Sequence, residues 1–472
     1  VGLTSACLGM IYALDCKGIN AGFLKPFSQI ADTTVDRTTT LYRHLFHRRS
    51  VEPITYERLT QLIALGETDE LLEEAVALHR QIAVDHDVII VEGLVPNGQD
   101  HFASEINAAL AQALDAQVVL VSTADLADPR KTAEKVDAHL RQFGGAASPR
   151  TTGVLFMRTK GLPDGTAEIP VTLDPSLRLD QQIAEFSLEL QRYNRFLGTD
   201  ELPIIGLVPF SNILSVPRSL DIAAIVEGTW LHQGEAKQRR ILHTSLIASN
   251  IESELHKFVA GELIISASQR TDTLLAASLA SSNGTPLAGL VLTEQAPPSD
   301  NVLEFCQSAI KQGLPILHTS LDTLETAQRL NRFGNEIPID DIERAEQVTR
   351  FVSSHIDNNW LDQHTQNNLH PRLSPSAFRY ELVQKAIAAK KRIVLPEGDE
   401  PRTVQAAVIC QTRGIAQCIL LAKPESVAEV AKARGIQLPA DLQIIDPDTI
   451  RDQYIEPMVE LRRGKLDALQ AK

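Results

Sequence analysis

Three residues at the start of the chain, with an acid further along it, have types and spacing suited to holding an anion. In V-G-L-T-S, Gly2 and Thr4 stand where the last glycine and the hydroxyl of a phosphate-binding loop, G-x-x-x-x-G-K-[ST], would stand, and Ser5 follows. The chemistry of such a loop is electrostatic: backbone N–H groups at a helix N-terminus cradle phosphate oxygens, and a lysine reaches the outer ones. Glu92 ends the apolar run Val88 to Val91 and is the acid that would approach a Mg²⁺ ion. Leu3 occupies the lysine position, and a leucine cannot supply that charge. ATP hydrolysis is therefore not expected. Binding of some anion at this helix N-terminus remains one reading, and a relic kept for packing is the other.

A second group lies in R-I-V-L-P-E-G-D-E-P-R-T-V-Q-A-A, Arg392 to Ala407. Ile393 to Leu395 reads as a buried parallel strand, Pro396 ends it, and Pro401 suits the first position of a helix. Glu397, Asp399 and Arg402 crowd the corner and are candidate cleft-lining residues. Arg402 sits at the wrong end of the helix dipole for a cation, so Glu397, Asp399 or an anionic ligand must offset it. His44 and His47 share a helical face, but no third ligand accompanies them locally; they read as a solvated basic face, and no metal site is expected.

The elements that must position these groups alternate strand and helix. A helix runs from Val1 to about Asp15, closed by Gly18, with a strand at Ala21–Phe27. Helical patterning fills Asp36 to Val84, and strands follow at Asp87–Glu92, Gln117–Ser122, Thr152–Met157 and Pro203–Val208. Asp128 and Pro129 form an N-cap and N1 pair. This alternation argues for a doubly wound, mostly parallel sheet with helices on both faces. Asp164 to Asp174 reads as a surface insertion, and Gly228 to Gly234 as a hinge. A second, smaller α/β unit follows, whose polar corner Ser266–Asp272 is either a ligand site or a helix capped by Ser268 or Thr271. Asp340 to Trp360 reads as one helix docking this unit to its neighbour, and Asp362 to Pro375 as a linker. The last hundred residues begin another strand–helix alternation. The domains so defined are 1–227, 228–360, a linker at 361–375, and 376–472.

At 472 residues the chain exceeds one ordinary core, and 43% apolar with 22% charged residues is a globular composition. Its 45 basic and 60 acidic residues, a formal charge of −15, disfavour nucleic acid and anionic membranes as partners. Five cysteines without C-x-x-C spacing read as reduced thiols of a cytoplasmic protein. No apolar run approaches the roughly 18 residues of a membrane span.

The assembled residues resemble the long-form bacterial phosphate acetyltransferases. L-S-P-S-A-F-R-Y at Leu373–Tyr380 and Arg392–Ala407 are similar to that family's transferase signature. V-G-L-T-S, L-K-P-F at Leu24–Phe27 and V-E-G-L-V-P at Val91–Pro96 resemble its N-terminal domain, itself similar to dethiobiotin synthetase and P-loop NTPases. The middle resembles its DRTGG domain, with Q-R-T-D-T at Gln269–Thr273 departing from the name-giving motif. The resemblance implies acetyl transfer between acetyl-CoA and phosphate, with CoA, acetyl-CoA and phosphate as substrates and no tightly bound cofactor. It also implies metabolite effectors and a homo-oligomer. The family's phosphate-holding arginines and its assisting aspartate match no position here, so no catalytic residue is assigned. The chain is expected to be a fragment, lacking its first residues and most of its transferase domain, and inactive alone. The alternatives are an ATP-dependent ligase of the dethiobiotin synthetase type and a non-catalytic metabolite-sensing module.

Overall fold

The computed structural model describes residues 2–31, 35–97, 100–145, 148–162, 175–294, 296–332, 336–365, 374–463 and 467. Two compact units result. One comprises Val1–Leu59, Leu78–Ala108 and Gln117–Leu369; the other comprises Thr60–Ala77, Ala109–Ala116 and His370–Lys472. The expected insertion at Asp164 to Asp174 lies outside the described residues, as does most of the expected linker.

The chain opens with α1 (Leu3–Cys16), β1 (Ala21–Leu24), α2 (Arg37–Phe46), α3 (Tyr56–Leu65), α4 (Thr68–Ala83) and β2 (Val88–Val91). Next come α5 (Ala103–Ala113), β3 (Val118–Asp125), α6 (Pro129–Leu140), β4 (Thr151–Lys160), α7 (Pro175–Gln191) and β5 (Ile204–Pro209). Asp36 caps α2 by accepting from Thr39 N–H, and Asp128 caps α6 by accepting from Lys131 N–H, with Pro129 at N1. The one doubly wound sheet expected from the sequence is instead two parallel ladders, β1–β2 and β3–β4–β5. Side chains join them: Leu8, Ile11 and Leu14 of α1 pack into one core with Phe23, Leu155, Met157 and Ile205. Expected to be fully buried, β2 is only half-buried, whereas its ladder partner β1 is buried throughout.

The middle region contains α8 (Asn212–Ser215), β6 (Thr229–His232), β7 (His243–Leu246), α9 (Ile251–Glu254), β8 (Glu262–Ala267), α10 (Thr271–Ser282) and β9 (Gly289–Thr293). It continues through α11 (Asp300–Phe305), α12 (Gln307–Lys311), β10 (Ile316–His318), α13 (Thr323–Asn331), α14 (Ile342–Ser353) and α15 (Asn358–Thr365). The sheet order is β6-β10-β9-β8-β7, parallel except where β6 meets β10. The segment read as a hinge is thus mostly an edge strand. Its glycines serve close approach: a Cβ on Gly228 would lie 2.8 Å from Leu317 Cγ. Neither Ser268 nor Thr271 caps α10. The Ser268 hydroxyl is taken by the Thr293 carbonyl at 2.8 Å, and Arg270 occupies the cap position without a side-chain bond.

After this sheet the chain returns to the first region. The single helix expected over Asp340–Trp360 breaks between α14 and α15, because the backbone there pairs with β5. Gly206 and Ile356 form an antiparallel bridge, and Asp357 N–H donates to the Ile205 carbonyl at 2.7 Å. Trp360 Nε1–H then donates to the Thr152 carbonyl at 2.8 Å. The docking role read for this segment holds: α14 lies against α1, where a Cβ on Gly9 would come within 2.5 Å of Val352 Cγ1. The outgoing and returning strands of chain are tied by Arg218, whose Nη2 reaches Asp221 at 2.6 Å and Asp340 at 2.8 Å.

The last region runs α16 (Pro375–Ala389), β11 (Arg392–Leu395), α17 (Pro401–Thr412), β12 (Gln417–Leu421), α18 (Pro424–Arg434), β13 (Gln443–Ile445) and α19 (Pro447–Leu461). Its parallel sheet has the order β11-β12-β13. Central β12 is buried, whereas Ile393 and Val394 of β11 are 44% and 53% exposed. The strand read as buried from its apolar run is an edge with a ladder on one side.

Candidate functional site

A cavity of about 510 Å³ opens at the N-terminus of α1 and collects all four residues of the anion motif: Gly2, Thr4, Ser5 and Glu92. Gly2 takes a left-handed conformation, φ 83° and ψ 16°, which favours glycine, and it offers no side-chain cap. The first intrahelical bond is from Ala6 N–H to the Gly2 carbonyl, which leaves the N–H groups of Leu3, Thr4 and Ser5 for other partners.

Lys25, just past β1, brings an ammonium to the cavity where Leu3 brings none. Its Nζ lies 2.7 Å from Asp36 Oδ2 and 3.2 Å from Glu92 Oε1. Thr38 Oγ1 donates to Glu92 Oε1 at 3.2 Å and lies 2.8 Å from Thr4 Oγ1, so the first turn of α1 is two hydrogen bonds from the acid. Asp36 and Glu92 are 6% and 5% exposed. Burial pulls Lys25 down, but Glu92 and Asp36 outweigh it and hold the ammonium above its ordinary pKa. Burial raises Asp36, yet Lys25 and the two Thr39 bonds bring its carboxyl below the usual carboxylate range. Glu92 goes the other way: burial exceeds the help it gets from Lys25 and pushes it up. Its Oε2 atom is buried without a hydrogen-bond partner. The Cys7 thiol, buried beneath, is raised by burial first and Glu92 second, which makes it inert.

Because the ionised form of Glu92 is the costly one, its contribution to stability is present below its ordinary pKa and lost as pH rises through the raised value. Glu92→Gln is therefore expected to raise the thermal midpoint near pH 8 and to change it less near pH 5. Thermal unfolding at the two pH values measures this; a midpoint lowered equally at both would show that the carboxylate, not its shape, holds the site together.

Other walls come from distant elements. Arg158 takes a left-handed φ of 53°, lies with its guanidinium 4.7 Å from the Phe210 ring centre, and forms no ion pair among the described residues. Arg344, Val348, Phe351 and Val352 of α14 close one side. Burial lowers Arg344, whose Nε–H donates to the Leu214 carbonyl at 2.8 Å. Arg37 pairs with Glu336 at the rim. The sequence reading missed Lys25, Asp36, Thr38, Arg158 and the α14 wall. Its available signal was L-K-P-F, a lysine at the end of a buried strand.

The second candidate group belongs to the other compact unit. Glu397 and Asp399 are exposed, and the Arg402 side chain is 95% exposed. The partner of Arg402 is Glu400 at 3.6 Å, not Glu397 or Asp399, because Glu400 is the N-cap of α17 and accepts from Thr403 N–H. His44 and His47 are exposed, and no group of three metal-ligating side chains occurs among the described residues. No described helix is long and apolar enough to cross a membrane.

Fold and site define a multidomain α/β chain with parallel sheets, whose first domain sets Gly2 before α1 and holds Lys25 between Asp36 and Glu92. Residues 1–218 match the AAA domain family, 221–333 the DRTGG domain, and 377–472 the phosphate acetyl/butaryl transferase family. The chain is 74% identical over 472 residues to the phosphate acetyltransferase of Acinetobacter baylyi, covering 100% of this chain and 66% of that one. It is 41% identical over 467 residues to that of Pseudomonas aeruginosa and 35% over 474 to that of Escherichia coli, covering 98% of this chain and 65% of theirs in each case. The chain is thus similar along its whole length to phosphate acetyltransferases and spans just under two thirds of the length of these relatives.

Proposed function

We propose that the protein serves reversible acetyl transfer between acetyl-CoA and orthophosphate, giving acetyl phosphate and CoA. The observation that carries this reading is the transferase match over residues 377–472 within a chain 74% identical to a phosphate acetyltransferase. Such chemistry uses arginine forks for phosphate and the CoA thiolate as nucleophile. Glu397, Asp399 and Arg402 then line the lip of the transferase cleft, consistent with their place beyond the C-terminal end of a parallel strand. CoA and phosphate bind as substrates, without a tightly held cofactor. Residues before the transferase segment serve regulation and assembly of a cytoplasmic homo-oligomer, and Gly2, Thr4, Ser5 and Glu92 hold an anion. Deleting the encoding gene is expected to remove phosphate-dependent acetyl-CoA breakdown from cell extracts, and re-expression to restore it. Unchanged activity in the deletion extract would overturn the assignment.

The purified 472-residue chain is expected to be silent in the same assay. In its transferase segment Arg379 and Arg413 both pair with Glu73, and Arg451 pairs with Asp448, so these three guanidiniums are engaged within the protein. CoA-dependent acetyl phosphate formation by this chain would refute that.

A further inference from the structure

The last turn of α17 and the start of β12 bring two thiols together. Cys410 lies in that turn and Cys418 in the strand, and both pack into one apolar cluster with Val404, Ala407 and Leu420. The two side chains share a hydrogen bond, which sets their sulfur atoms side by side. The corner has bonds of its own that fix this placement. Ile415 N–H donates to the Cys410 carbonyl at 2.8 Å, and Cys418 N–H donates to Gln411 Oε1 at 3.0 Å. Gln411 Nε2–H in turn donates to Asp441 Oδ2 at 2.7 Å. The two thiols differ in access: Cys410 is half-buried, whereas Cys418 is 3% exposed. Burial first, and then Cys410, raises the Cys418 thiol above its ordinary value.

We propose that Cys410 and Cys418 form a reversible thiol–disulfide site that reacts with small-molecule disulfides such as oxidised glutathione. The Cys410 thiolate attacks one sulfur of the reagent and forms a mixed disulfide, and the small thiolate it expels takes up a proton. Cys418 then gives its proton to water and attacks the Cys410 sulfur, and the second small thiol leaves. The two protein thiols together lose two electrons and two protons, and the reagent is reduced to two thiols. Neither cysteine does this alone. A buried thiol with a raised pKa does not meet the reagent, but the mixed disulfide brings a reacting sulfur to Cys418 where it stands. A thiol without such a partner stops at the mixed disulfide. Closing the bond fastens to the sheet the last turn of α17, close to Arg413 and its bridge to Glu73 at 2.5 Å. Access through Cys410 makes the pair a sensor of the small-thiol pool rather than a permanent structural bridge.

The test is peptide mapping of the whole native chain after incubation with oxidised glutathione, with free thiols alkylated before the chain is unfolded. Trypsin cuts after Arg413, between the two cysteines, so a bridge joins two peptides that dithiothreitol separates. The bridged form is expected to exceed the glutathione adduct of Cys410 by at least about tenfold, because the second sulfur is held at high effective concentration. Cys16, exposed on α1, is the internal comparison and should keep its glutathione. In Cys418→Ala, Cys410 should keep glutathione as well, and in Cys410→Ser the buried Cys418 should stay free. Glutathione retained on Cys410 of the unaltered chain would overturn the proposal, as would no reaction at either cysteine. A bridge that forms only after the chain is unfolded would overturn it too, since the native corner would then not bring the sulfurs together. Cys410→Ser leaves the core thiol in place, so the comparison stands if Cys418→Ala does not fold.

Discussion

Lys25→Met lowers the stability of the chain by about 3–5 kcal/mol, the cost of removing one partner from a buried ion pair. The reason is geometric. The ammonium stands between Asp36, whose side chain is 3% exposed, and Glu92 at 5%, at 2.7 and 3.2 Å. Methionine fills the volume but leaves two carboxylates without a counter-charge. The pH dependence follows from the two directions. The raised Lys25 contributes stability that is present below its unfolded value near 10.4 and is lost as pH rises through the higher folded value. The depressed Asp36 contributes stability present above about 3.9 and lost as pH falls through the lower folded value. The pair is therefore intact across the neutral range. The deficit of Lys25→Met should be full near pH 7 and should shrink toward pH 4 as the carboxylates protonate. Urea unfolding of both proteins at these pH values measures it; a neutral-pH loss below about 1 kcal/mol would put the pair among weak surface bridges.

Arg218→Met has the other large expected effect, again about 3–5 kcal/mol. Arg218 is 2% exposed and Asp341 likewise 2%; Arg218 also lies 3.8 Å from Asp341, which Arg240 holds at 2.5 Å. Burial lowers Arg218, but its bonds to Asp221 and Asp340 outweigh that and hold the guanidinium firmly protonated. Asp341 is raised by burial and brought below its ordinary value by Arg240. Asp221 precedes the middle sheet and Asp340 follows it, so the cluster ties both crossings of the chain at one point. Losing it should do more than lower the midpoint. Calorimetry should resolve the middle sheet as a separate, earlier transition, because the start of α14 then loses its tie to Arg218. Arg402→Met is the matched control, since a guanidinium 95% exposed contributes through one 3.6 Å contact in water. An Arg218→Met melt that superimposes on the control would remove the cluster from the account.

Much of the fold was legible because its signals are local. Proline after a capping acid marked α6, proline at the first helical position marked α17, Gly18 marked the end of α1, and the apolar run Ile393–Leu395 marked β11. The four residues read as an anion site do line one cavity, because the loop motif puts Gly2, Thr4 and Ser5 on consecutive residues and β2 carries Glu92 alongside. Lys25 was legible only as the lysine of L-K-P-F, not as a cation set between two buried acids. A lysine after an apolar strand has no periodicity that distinguishes it from any surface lysine, and its partner Glu92 is reached only through the β1–β2 ladder. Arg158 was less legible still, since its place depends on the irregular register between β4 and β5.

The sequence by itself determined the α/β class, the order of strands and helices, the chemistry missing at Leu3, and the family resemblance carried by Arg392–Ala407 and V-G-L-T-S. Tertiary structure alone decided that the first sheet is two ladders, that β11 is an exposed edge, and that α14 returns to wall the cavity at α1. It also decided that the positive charge there comes from Lys25 and Arg158. The division is physical. Propensity, capping and alternation act between residues a few positions apart, whereas ladder partners and buried charge pairs join positions such as Arg218 and Asp340, 122 residues apart. Such pairs are selected by the free energy of the folded core as a whole.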